Sequence, residues 1–201
     1  MEYLILGFFT GLSLILAIGA QNIFVIEQGL KKQHVFLVSL ICSISDLILI
    51  FLGIFLFHYF IQYFNSTIEL IFNILLIIFL LHFIYSKIKV YNSSVNFNSD
   101  TKYISKLNIS LKTLGFTYLN PHVYSDTVFF LGNFSKNFLI NEKIIFGIGA
   151  SIASFLFFFL IGYLSKFLSQ YAQNQKVWKV INIFIITFMS VLTFYIFLEI
   201  I

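Results

Sequence analysis

The residues best placed to do chemistry are few, and they lie inside apolar runs. Asp46 is the one charge in Val35–Phe57 and sits at its centre. A carboxylate at that depth in hydrocarbon costs about 2.5–3.5 kcal/mol on insertion scales. Such a group is retained where it faces a wet cavity and binds a cation or a proton. Asp126 lies in a second run, Leu114–Phe134, with His122 four residues earlier on the same helical face. A carboxylate and an imidazole so placed can hold a cationic ligand or relay a proton. Asn120-Pro121 interrupts that run. Proline has no N–H and clashes with the preceding turn, so the helix there is expected to break or kink. Gly19-Ala20-Gln21-Asn22 offers a similar interruption in Leu4–Ile26: a flexible glycine and two amides that both donate and accept. Broken membrane helices turn their N-terminal ends toward anionic groups, so both motifs point to a carboxylate-binding site.

Other residues lend themselves to plainer readings. Glu27, beside the glycine-amide motif, reads as a solvated interfacial acid, with gating as the alternative. His58 and His82 read as interfacial, and Cys42 as a small apolar filler. Gly7 and Gly11, and likewise Gly147, Ser151 and Ser154, form small-residue stripes suited to close helix packing. Ser125 with Asp126 and His122 mimics a nucleophile–base set, but adjacent residues point about 100° apart on a helix. No enzyme is expected, no cofactor is implied, and no clustered His, Asp or Cys set suits a metal.

Composition says what must position these groups. Of 201 residues, 60% are hydrophobic and 10% charged, where soluble domains carry about 25% charge. A soluble enzyme and a disordered chain are both excluded. One cysteine excludes a disulfide framework. The net charge of +4 forms no dense basic patch, so nucleic acid is not an expected partner. A spanning helix needs about 20 apolar residues. Six stretches qualify: Leu4–Ile26, Val35–Phe57, Leu70–Ser86, Leu114–Phe134, Ile144–Ser165 and Val180–Leu198. The first has no basic flank and reads as a retained span, not a leader. Ten of the twelve lysines fall after the odd-numbered stretches. The positive-inside rule then puts those loops in the cytoplasm and both termini outside.

Residues 19–22 and 119–122 occupy matching places a hundred residues apart. Ser43-Ile-Ser-Asp46 likewise matches Ser151-Ile-Ala-Ser154, and Gly53 and Gly162 follow in turn. The expected fold is therefore all-α: six transmembrane helices as two inverted three-helix repeats, with interrupted helices near the midplane. Repeat one covers about residues 1–89, a polar cytoplasmic connector about 90–112, and repeat two about 113–201.

The run from Gly19 to Gly29 (GAQNIFVIEQG), followed by Lys31 and Lys32, resembles the LysE/ArgO family of basic amino-acid exporters. So do Cys42–Asp46 (CSISD), the string GFTYLNPHVYSDT from Gly115 to Thr127, Gly147–Ser154, Gly162 and Trp178. The resemblance implies a multi-pass protein of the bacterial inner membrane that exports lysine, arginine or close analogues. Exporters of neutral amino acids share the fold and are the alternative; a cation or metal transporter is a more distant one. On this reading Asp46 and Asp126 face the substrate's cationic groups. Gly19, Gln21, Asn22 and Asn120 hold its α-carboxylate. His122 or one of the aspartates exchanges protons, and Pro121 breaks the helix. The expected partners are the amino acid, protons and the bilayer; assembly as a homodimer is left open.

Overall fold

The computed structural model describes residues 1–16, 19–63, 66–92, 105–120, 123–172 and 175–200, and every element among them is helical. The elements are α1 (Glu2–Ile15), α2 (Ala20–Leu30), α3 (Val35–Tyr63), α4 (Ser66–Asn92) and α5 (Lys106–Tyr118). They continue as α6 (Tyr124–Phe130), wound with the wider π spacing, α7 (Leu131–Phe134), α8 (Ile140–Ala172) and α9 (Gln175–Ile200). Pro121 and His122 lie outside the described residues.

Among the described residues four helices are long and apolar enough to cross a membrane, through Val35–Phe57, Ser66–Tyr85, Ile140–Gln170 and Lys179–Leu198. A fifth crossing results if α1 and α2, bent by 82° at their junction, count as one broken span. The fourth apolar stretch of the sequence is not a single helix, since it is divided among α5, α6 and α7. The interruption falls where Asn120 precedes proline, and the residue before a proline is disfavoured in the α conformation. The first stretch is interrupted between Ile15 and Ala20, so the interruption ends at the first residue of the sequence motif. Gly19, with extended backbone, caps α2, and Gln21 and Asn22 belong to the first turn of the new helix.

A broken helix leaves carbonyls without partners, and in lipid these must be satisfied by protein. Each break has such a device. Asn22 Nδ2 donates to the Ile15 carbonyl at 3.1 Å, and the Tyr124 hydroxyl donates to the Tyr118 carbonyl at 2.9 Å. In both cases a side chain after the break holds the last residue of the helix before it.

Apolar side chains such as Phe9, Ile48, Ile78, Phe167 and Phe194 face outward, while Ser39, Ser43, Asp46, Ser151, Ser154 and Asn182 are buried. That inversion of the soluble pattern suits a lipid solvent, in which packing of small residues and polar contacts hold helices together. The small-residue stripes do pack as expected: Gly7 meets Phe146 and Gly11 meets Ala150, seating α1 on α8. Helix α2 also lies on α8, α6 and α7 lie on α3, α3 crosses α8, and α4 pairs with α9. Two contacts are reciprocal. A methyl at Gly29 of α2 would stand 2.5 Å from the Gly162 carbonyl oxygen of α8. A methyl at Gly132 of α7 would stand 2.6 Å from the Gly53 carbonyl oxygen of α3.

Candidate functional site

Asp46 is 3% exposed, deep in α3. Its Oδ2 accepts a 2.8 Å hydrogen bond from the hydroxyl of Ser154, which is itself 0% exposed on α8. The sequence had assigned Ser154 only to helix packing. Its further role as hydrogen-bond donor to the buried acid depends on the α3–α8 crossing, although the repeat had already aligned the two positions.

From the opposite side, α2 brings Gln21 against both Asp46 and Cys42. Gln21 is 7% exposed, and its Nε2 makes no hydrogen bond of ordinary geometry. The amide thus stands beside the carboxylate and the thiol without a well-formed hydrogen bond to either. Cys42, one turn before Asp46, also lies within reach of Thr117 on α5. The Thr117 hydroxyl donates to the Thr113 carbonyl at 3.0 Å, leaving its lone pairs toward the thiol. Cys42 is thus fully buried, as an apolar filler would be, yet it touches polar groups at the centre of the bundle. Helices α2 and α8 thus meet the carboxylate of α3, and α5 reaches the thiol one turn away.

The other residues singled out in the sequence lie at the two interruptions. Gly19 opens α2 without a side-chain cap, so the first amides of that helix are unclaimed by such a group. Asn120 is buried at the end of α5. Asp126 is half-buried on α6, and its neighbour Thr127 is seated against α3 at Gly53. Gly53 is seven residues beyond Asp46, about 10 Å along a helix, so the two acids attach to α3 at different depths. Glu27 corrects the sequence reading: it is not a solvated acid but is 1% exposed and ion-paired with Lys31. Among the described residues no three His, Cys, Asp or Glu side chains gather as a metal site.

A buried acid next to an interrupted helix is a feature of membrane transporters, and comparison with known proteins agrees. The profile of the LysE type translocators matches residues 12–199. The chain belongs to the LysE family. The arginine exporter protein ArgO of Pectobacterium atrosepticum is 33% identical over 183 residues, covering 89% of this chain and 88% of that protein. The ArgO protein of Salmonella typhimurium is 32% identical over 197 residues, covering 96% of this chain and 92% of its own. No solved structure matches the chain. Membership in the LysE family, together with its apolar helices, makes this a multi-pass membrane protein of the translocator type.

Proposed function

We propose that this LysE-family protein exports basic amino acids, arginine or lysine or close analogues, across the bacterial cytoplasmic membrane. The observation that carries the reading is Asp46, a buried carboxylate held by Ser154 of α8 and flanked by the Gln21 amide. The names of the similar ArgO proteins support the substrate class. Asp46 and Asp126 bind the cationic groups of the substrate. Gly19, Gln21, Asn22 and Asn120 hold its α-carboxylate with amides and the start of α2. The lysine-rich end, where Lys31 and Lys112 lie close together, faces the cytoplasm.

The chain works as two inverted halves that rock about this site, with α5, α6 and α7 forming the broken counterpart of α1 and α2. The reciprocal Gly29–Gly162 and Gly132–Gly53 approaches support that plan, because exchanging the halves exchanges the two contacts. So do the two carbonyl-holding devices at the breaks. Export of a cation against an inside-negative potential opposes about 2.3 kcal/mol per charge per 100 mV. Protons moving inward offset it, carried by Asp46, Asp126 or His122.

The test is export from cells loaded with arginine or lysine dipeptides, alongside vesicles with an imposed pH gradient. Arginine or lysine efflux that accelerates with an inward proton gradient is expected. Efflux of neutral amino acids alone refutes the substrate assignment, and indifference to the gradient refutes the coupling.

A further inference from the structure

The lysine-rich end of the bundle holds a second acid that the central site does not use. Glu27, on the last turn of α2, forms an ion pair with Lys31 Nζ; the Lys31 side chain is 26% exposed and Glu27 1%. Lys112 approaches from α5, where burial and then the charge of Lys31 hold its ammonium below the usual lysine range, with Glu27 acting the other way. Three charges from two helices therefore share one mouth.

Glu27 is six residues from Gln21, about 9 Å along the helix. Between them Phe24 packs on Phe116 with ring centres 4.6 Å apart. Phe116 in turn meets Phe79 at 4.8 Å and Phe83 at 5.0 Å, closing an aromatic layer between the two acids. Two more buried polar atoms at this end have no hydrogen-bond partner: Gln28 Oε1 on α2 and Ser169 Oγ on α8. Ser169 lies one turn beyond Ser165, whose side chain is packed against Gly29.

We propose that Glu27 is a receiving site for the cationic side chain of a basic amino acid, occupied here by Lys31 as a tethered stand-in that the incoming ammonium or guanidinium displaces. The inference rests on the export of basic amino acids proposed above. Lys31 ends in the same primary ammonium as a lysine substrate, on a flexible stem already partly in water. Exchanging one cation for another keeps the buried carboxylate paired throughout, whereas an unpaired charge there is strongly destabilising. A guanidinium would gain a second parallel hydrogen bond that an ammonium does not make. Gln28 Oε1 and the Ser169 hydroxyl offer acceptors for the substrate's α-ammonium. The aromatic layer then separates arrival at Glu27 from binding at Asp46.

A purely structural ion pair and a displaceable one respond oppositely to loss of the lysine. The experiment measures initial rates of radiolabelled arginine uptake into inside-out vesicles, across a concentration series, for the full-length protein. Lys31→Met removes the competitor and lowers KM about threefold or more, with kcat kept. Glu27→Gln raises KM about tenfold. The double variant Glu27→Gln/Lys31→Met, which leaves no unpaired charge, follows Glu27→Gln and carries the test if either single variant fails to accumulate. An unchanged KM in Glu27→Gln or the double variant, or a raised KM in Lys31→Met, overturns the proposal while arginine transport by the wild type leaves the exporter reading intact. A wild-type protein that moves no arginine in these vesicles overturns both.

Discussion

Removing one hydroxyl tests whether Asp46 works as an oriented charge. Ser154 donates to Asp46 Oδ2 at 2.8 Å, and both residues are buried, so water cannot simply take over the bond. Hydrogen bonds to charged groups contribute about 1.5–3 kcal/mol. At about 1.4 kcal/mol per tenfold, Ser154→Ala should lower kcat/KM for arginine by about 10- to 150-fold. Ser154→Thr retains the hydroxyl and should recover most of that loss, which a mere packing role for the serine would not explain. Asp46→Asn should lower export further than Ser154→Ala does, since it removes the charge itself and leaves Asp126 as the remaining central acid. The assay is arginine efflux from dipeptide-loaded cells, normalised to the amount of protein in the membrane. If Ser154→Ala accumulates normally and exports at the wild-type rate, the serine does not orient a working carboxylate.

Four further perturbations probe the scaffold. A methyl at Gly53 would stand 2.5 Å from the Val128 carbonyl oxygen, so Gly53→Ala should lower the melting temperature in detergent by the equivalent of about 1–3 kcal/mol. Gly19→Ala, with nothing within 4 Å of the new methyl, should cost only the smaller N-cap preference. Lys32 ends α2 at φ 56°, in the left-handed region that glycine adopts without strain, and its N–H closes on the Gly29 carbonyl. Lys32→Gly should therefore stabilise the protein by about 1 kcal/mol in the same melting measurement. Lys112 has its affinity for protons lowered by burial and by Lys31. The unfolded chain then binds more protons than the folded one between the lowered value and the ordinary lysine value, so this residue makes stability rise as pH rises through that window. Lys112→Met should raise the melting temperature at neutral pH and flatten the alkaline rise.

The burial of Asp46 was legible because charge inside hydrocarbon is costly and must be sheltered by protein. Asp46 stood out by isolation alone, and its serine partner occupied the matching position in the second half of the chain. The breaks were legible from Pro121 and from the glycine-amide motif, but their geometry was not. Gly19 closes the interruption as the extended cap of α2, and the 82° bend between α1 and α2 leaves no mark in the sequence. Nothing in the periodicity of Tyr124–Phe130 announces π winding. Glu27 was misread for a related reason. A glutamate near the end of an apolar run, with lysines just beyond, reads as a solvated interfacial acid. Its burial depends on α8 closing over α2 at the Gly29–Gly162 approach, which is a contact between segments far apart in the chain.

The hydrogen bond between Asp46 and Ser154 has a meaning on the proposed inverted plan that neither residue has alone. The two positions are equivalents, 108 residues apart, and they touch. Residues that meet their own counterparts lie beside the axis relating the halves. Had both halves kept aspartate there, two carboxylates would face each other about 3 Å apart and could not both ionise. A serine in the second half turns that repulsion into a donated hydrogen bond and leaves one negative charge at the axis. One fixed charge suits one exchangeable cation, whether a basic side chain on the outward stroke or a proton on the return. The scaffold can thus remain nearly symmetric, as alternating access needs, while the chemistry is confined to the position where the two halves differ.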